Sequence, residues 1–181
     1  NARARCPRAD DQARALSARG AVELWSGHLD EAVRVLDSGV VAPAIPGCEP
    51  ARAACLGHLA LAEALRGRLR RAAMLAEQAA TTCAGEGQRP PVRHANPAAL
   101  VALAWVHLEH HDLKQTRSRL QQLNAVLEAS PDKLIAAIAC LIAAYSALAE
   151  GRDDMAVQSV ARARSGWQVP AWLEHELGLV E

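Results

Sequence analysis

LGHLALAEALRGRLRRAAMLAEQA, residues Leu56–Ala79, reads as one helical hairpin: an apolar helix, a turn at Gly67 and a second helix. Its skeleton recurs along the chain. Gly67-Arg-Leu-Arg-Arg-Ala72 pairs a turn residue with a small residue five positions later, and so do Gly27-His-Leu-Asp-Glu-Ala32 and Gly151-Arg-Asp-Asp-Met-Ala156. His111-Asp-Leu-Lys-Gln-Thr116 fits as a degenerate copy, with Leu113 in register with Leu29 and Leu69. The markers at 27, 67, 111 and 151 are spaced by 40, 44 and 40 residues, a regularity that points to a helical solenoid. Seven residues before each marker stand Gly20, Ala60, Ala104 and Ala144, all small. Together with Ala32, Ala72, Thr116 and Ala156 they mark places where the two helices of a pair cross closely. Such pairs cannot bury their faces alone, so stacked neighbours must complete the core.

Working outward, the repeats span about 9–41, 51–83, 98–129 and 131–165, with a partial fifth at 170–181. The expected helices run 9–26 and 29–41, 51–66 and 68–83, 98–110 and 112–129, 131–150 and 153–164. A further helix follows at 170–179 and has no partner. Three prolines and Gly47 make 42–50 a linker, and two glycines with three prolines make 84–97 the longest break. Ser130-Pro131-Asp132 suits a helix start, with Ser130 as cap and Pro131 in the first turn. The unpartnered last helix, and an opening at Asn1 without Met, give the expectation of a fragment cut from a longer protein.

Composition agrees with an all-α fold. Alanine, the best helix former, dominates; Phe is absent and aromatics make up 3% of the chain. Twenty basic and twenty acidic residues cancel, so no global charge favours nucleic acid or an anionic membrane. The apolar stretch Leu134–Leu148 falls short of the ~20 residues needed to cross a bilayer and reads as a buried helix. Five scattered cysteines (Cys6, Cys48, Cys55, Cys83, Cys140) without a CxxC pair fit reduced thiols in a cytoplasmic protein.

Paired helices with small crossings and a G-x-x-x-x-A turn resemble the tetratricopeptide repeat, here in a longer variety than its usual ~34 residues. Wording such as Glu23-Leu-Trp-Ser-Gly-His-Leu-Asp-Glu-Ala32, Ala104-Trp-Val-His-Leu-Glu-His-His-Asp-Leu113 and Pro170-Ala-Trp-Leu173 narrows this. Cys55-Leu-Gly-His-Leu-Ala-Leu-Ala-Glu-Ala-Leu-Arg-Gly-Arg-Leu-Arg-Arg-Ala72 belongs with it. These stretches resemble the helical repeat region of large LuxR-family, MalT-like transcriptional regulators, in a composition that suits an actinobacterial version. The resemblance implies a right-handed tetratricopeptide-like superhelix of antiparallel hairpins. It also implies a non-catalytic sensor that binds a small-molecule effector or a protein or peptide partner. That sensor would be coupled to other domains of the parent regulator, an ATPase module and a DNA-binding module, that are not in this chain. No G-x-x-x-x-G-K-S/T phosphate loop occurs, so ATP is expected only in the upstream domain and no cofactor in this chain. No helix-turn-helix or basic face is recognisable, so no direct nucleic-acid contact is expected. The alternative is a generic tetratricopeptide adaptor unrelated to transcription.

In such an array the first helix of each pair lines a concave groove. Leu61, Trp105 and Tyr145 fall in one row of it with Ala21. Trp25, Leu65 and Leu108 fall in the neighbouring row with Leu24 and Leu148. Indoles and a phenol on an apolar wall suit peptides, sugars or aromatic effectors. The plainer reading of the same positions, inter-repeat core, is preferred. His107 and His111 lie four apart, a spacing that can hold a metal, but a polar helix end explains them better. Arg66, Arg68, Arg70 and Arg71 crowd the second turn, and Arg117, Arg119, Arg162 and Arg164 could join them in a basic ridge. Net neutrality, Glu63 and Glu77 favour local ion pairs. Asp30/Glu31 and Asp153/Asp154 fall at helix starts, where they favour the dipole, and no enzyme constellation stands out.

Overall fold

The computed structural model describes residues 7–41, 49–84, 95–165 and 167–180. All regular structure among them is helical: α1 Pro7–Trp25, α2 Leu29–Val41, α3 Glu49–Leu65, α4 Leu69–Ala84, α5 Pro97–Glu109, α6 Leu113–Ala129, α7 Lys133–Ala149, α8 Asp153–Arg164 and α9 Ala171–Gly178. Each observed boundary lies within two residues of the one expected from sequence.

The four repeat markers are where the chain reverses. Gly27, Gly67 and Gly151 have φ of 77°, 76° and 68°, and His111 has φ 56°. At each, the marker N–H donates to the carbonyl three residues back (Leu24, Ala64, Leu108, Leu148). The next N–H donates to the carbonyl five back (Glu23, Glu63, His107, Ala147). The distances are 2.8–3.1 Å, and the pattern is a Schellman cap that satisfies the orphan carbonyls of the first helix. Glycine adopts this left-handed backbone without strain; His111 adopts it at a cost, being an L-residue with a Cβ.

The small residues sit where the helices of each pair meet. Gly20, Ala60, Ala104 and Ala144 are buried, as are Ala32, Ala72, Thr116 and Ala156. A Cβ added at Gly20 would lie 2.3 Å from Leu36 Cδ2, so α2 rests directly on that backbone. Thr116 hides its hydroxyl by donating to the Asp112 carbonyl at 2.9 Å.

Four hairpins form, α1·α2, α3·α4, α5·α6 and α7·α8, and they stack in order. First helices touch in succession (α1·α3, α3·α5, α5·α7), and each second helix packs on the next first helix (α2·α3, α4·α5, α6·α7). First helices are therefore covered on several sides. The stretch Leu134–Leu148 falls within α7, which buries Leu134, Ile135, Ile138, Leu141 and Ile142. No described helix is long and apolar enough to cross a membrane.

Two helix starts tie neighbouring elements together. Asn96 caps α5 by accepting from Ala99 N–H, and its amide donates to the Ala53 carbonyl of α3 at 2.7 Å. Asp132, not Ser130, caps α7, accepting from Ile135 N–H at 3.0 Å. An Asp caps as well as a Ser, and the Asp132 carboxylate takes the free N–H of Ile135, so the helix starts two residues later than expected.

Candidate functional site

The six groove positions fall in different surroundings. Leu61, in the middle of α3, is fully buried. Leu65, Trp105, Leu108 and Tyr145 are half-buried and pack on a core that also holds Leu173, Leu177 and Val180 from the C-terminal segment. Trp25, at the end of α1, is 39% exposed.

The C-terminal segment brings Trp25 and Tyr145 into one assembly. Helix α9 packs on α7, and the Tyr145 hydroxyl donates to Glu176 Oε2 at 3.2 Å. Burial and the carboxylates of Glu176 and Glu109 push the Tyr145 phenol upward. Trp167 packs its ring on Trp25, centroids 4.8 Å apart at 54°. Trp172 Nε1–H donates to the Trp25 carbonyl at 3.0 Å, across 147 residues of chain. Its indole lies over the first turn, where a Cβ at Gly27 would come within 2.9 Å of Trp172 Cδ1. An ion pair of 2.7 Å between Arg164 and Glu174 holds the segment to the end of α8. Helix α9 has eight residues, too few to persist alone in water. Its order comes from docking Leu173 and Leu177, both fully buried. The segment expected to open a fifth hairpin packs on α7 and also touches the first turn.

Two cavities flank the Trp25–Trp167 pair. One, about 470 Å³, is lined by Val22 and Trp25 of α1, His58 of α3, and Pro131, Lys133 and Ile135 at the start of α7. His58 Nδ1 shares a 3.4 Å hydrogen bond with the Ser17 hydroxyl. Burial pushes its imidazole pKa down, against an opposing pull from Asp132. The other cavity, about 540 Å³, lies between α6, α7 and α8 and has Trp167 in its wall. Lys133 lines both.

The arginines of the second turn are largely engaged. Glu63 is fully buried and paired with Arg71 at 3.3 Å, Arg66 at 3.6 Å and Arg68 at 3.7 Å. Arg66 also reaches Asp30 and Arg71 reaches Asp37, so the cluster braces the first hairpin against the second. Arg117 pairs with Glu150 at 3.1 Å and braces the third against the fourth. Burial, with Arg119 nearby, holds the half-buried His107 imidazole below its usual range, and His111 occupies the strained turn. No group of three His, Cys, Asp or Glu side chains is placed to hold a metal among the described residues.

Sequence reasoning missed Trp167 and Trp172 as partners of the first turn. The available signal was that three of the four tryptophans, in a chain without Phe, lie toward its two ends. In comparisons with known proteins, no family model, curated protein or solved structure matches this chain.

Proposed function

We propose that this chain is the sensing and partner-binding region of a LuxR-family, MalT-like transcriptional regulator, built as a tetratricopeptide-like superhelix. It acts without catalysis and without a cofactor of its own, in the cytoplasm. ATP and DNA are handled by other domains of the parent protein. The observation that carries this reading is the stacking order: first helices in succession, each second helix seated on the next first helix. In such repeats the first helices line the surface that takes up ligands; of the expected groove positions Trp25 is exposed and Leu61 is buried in the core.

Part of that surface is covered by α9, through Tyr145 and through the Trp25 turn. A partner that competes with α9 shifts the chain between a closed and an open form, provided it binds the open form better. The flanking coding sequence tests the regulator. A phosphate loop upstream and a helix-turn-helix downstream are expected; a parent gene with neither overturns the link to transcription and leaves the adaptor. Hydrogen exchange tests the switch: the α9 amides should exchange ahead of those of α3 and α5. Equal protection would mean that α9 does not open separately.

A further inference from the structure

The stacking rule is weakest at one junction. Helix α6 meets α7 less extensively than α2 meets α3 or α4 meets α5. The side of α7 turned to this junction carries Ala136, Ala139, Cys140 and Ala143, which leave room. The outcome is the cleft of about 540 Å³, with Leu120 and Leu127 of α6 opposite and Trp167 closing one side. Known small-molecule sites of roughly 300–1,000 Å³ share this size and mainly apolar lining. From Ala136 to Ala143 the floor runs about 10 Å along α7, the length of a medium acyl chain.

The polar groups of the cleft have one prevailing sign. Lys133 and Arg162 line it, and neither has a carboxylate ion pair among the described residues; Glu128 is the one acidic lining residue. The Arg162 charge bears on the Cys140 thiol, opposing the upward shift that burial causes, so its field reaches the floor. Both cations are solvent-exposed at the rim of the cleft, where they still favour an anionic head group over a neutral one.

We infer that the cleft between α6, α7 and α8 binds a small amphiphilic carboxylate, its apolar body on the alanine floor and its acid group toward Lys133 or Arg162. This deepens the sensor reading by naming the class of effector, and rests on that reading for its biological meaning alone. Binding at the cleft stands or falls whatever the parent gene encodes. Because Trp167 also packs on Trp25, a molecule in the cleft touches one half of the contact that closes the C-terminal segment on the first turn.

Decanoate, below its micelle concentration, and decanol as its neutral counterpart are the probes. Calorimetry on the whole chain should give saturable binding of one decanoate, with decanol weaker. The double variant Lys133→Gln/Arg162→Gln should weaken decanoate several-fold, the range of two exposed ion pairs, and leave decanol unchanged. Ala143→Phe should fill the cleft and abolish both. Protection of the unaltered protein needs no variant to fold: decanoate should slow alkylation of Cys140 several-fold, followed by mass spectrometry, with the other cysteines unaffected. Absence of saturable binding, decanol binding as tightly as decanoate, or an unchanged Cys140 rate would overturn the inference.

Discussion

Gly27→Ala and Gly67→Ala introduce the same methyl group at equivalent turns, yet should differ in cost. Both residues have φ near 77°, where an L-residue pays about 1–2 kcal/mol, partly offset because alanine has less freedom than glycine in the unfolded chain. At Gly67 nothing lies within 4 Å of the new Cβ, so the backbone term acts alone and the cost should be about 1 kcal/mol. At Gly27 the Cβ meets Trp172 Cδ1 at 2.9 Å and Cγ at 3.2 Å. That indole cannot simply swing aside, because its N–H is bonded to the Trp25 carbonyl and its helix is anchored by Leu173 and Leu177. Overpacking of this kind adds about 1–3 kcal/mol, so Gly27→Ala should cost roughly 2–4 kcal/mol in urea unfolding. In a Trp172→Ala background the obstacle is gone, and the cost should fall to that of Gly67→Ala. The coupling between positions 27 and 172 is therefore about 1–3 kcal/mol in a double-mutant cycle. Equal costs for the two glycine variants, or additivity with Trp172→Ala, would refute the placement of the C-terminal segment over the first turn.

His111→Gly should raise stability by about 0.5–1 kcal/mol in the same assay, since it relieves the one non-glycine residue with positive φ among those described. Gly20→Ala should destabilise by about 1–3 kcal/mol, because the added Cβ meets Leu36 at 2.3 Å; a neutral effect would mean the first hairpin crosses more loosely. Tyr145→Phe should cost about 0.5–1.5 kcal/mol and speed amide exchange in α9 selectively, as it removes the bond to Glu176 and little else. Stability should fall as pH drops below the ordinary histidine value of 6.5. Burial holds the folded His58 and His107 below it, so the unfolded chain binds protons more readily there. Each such group contributes a slope of at most about 1.4 kcal/mol per pH unit, and His58→Asn should flatten the profile measured by thermal melts.

What was legible in the sequence follows the range of the forces involved. The turns could be read because a Schellman cap is local: a residue that tolerates positive φ, followed by the next helix. His111 was legible only through register, since nothing in its own side chain announces that conformation. The crossings could be read because a close approach excludes large side chains, whatever the partner. The arginines of the second turn could not be resolved from Glu63 alone, because Asp30 and Asp37 reach them only once the hairpins stack.

The C-terminal segment marks the limit of reading by period. Extending the repeat places α9 beside the fourth hairpin, but it says nothing of which other apolar surface the same segment also meets. Here the segment meets the turn at Trp25 and Gly27 as well as the phenol of Tyr145 on α7. The alanines of α7 show the same limit on a smaller scale. At Ala60 and Ala72 a small side chain lets two helices close up; at Ala136 and Ala143 it leaves a cleft, because α6 meets α7 only sparsely there. A small residue specifies that space exists. Whether a neighbouring helix or a ligand fills it is decided by the geometry of the stack.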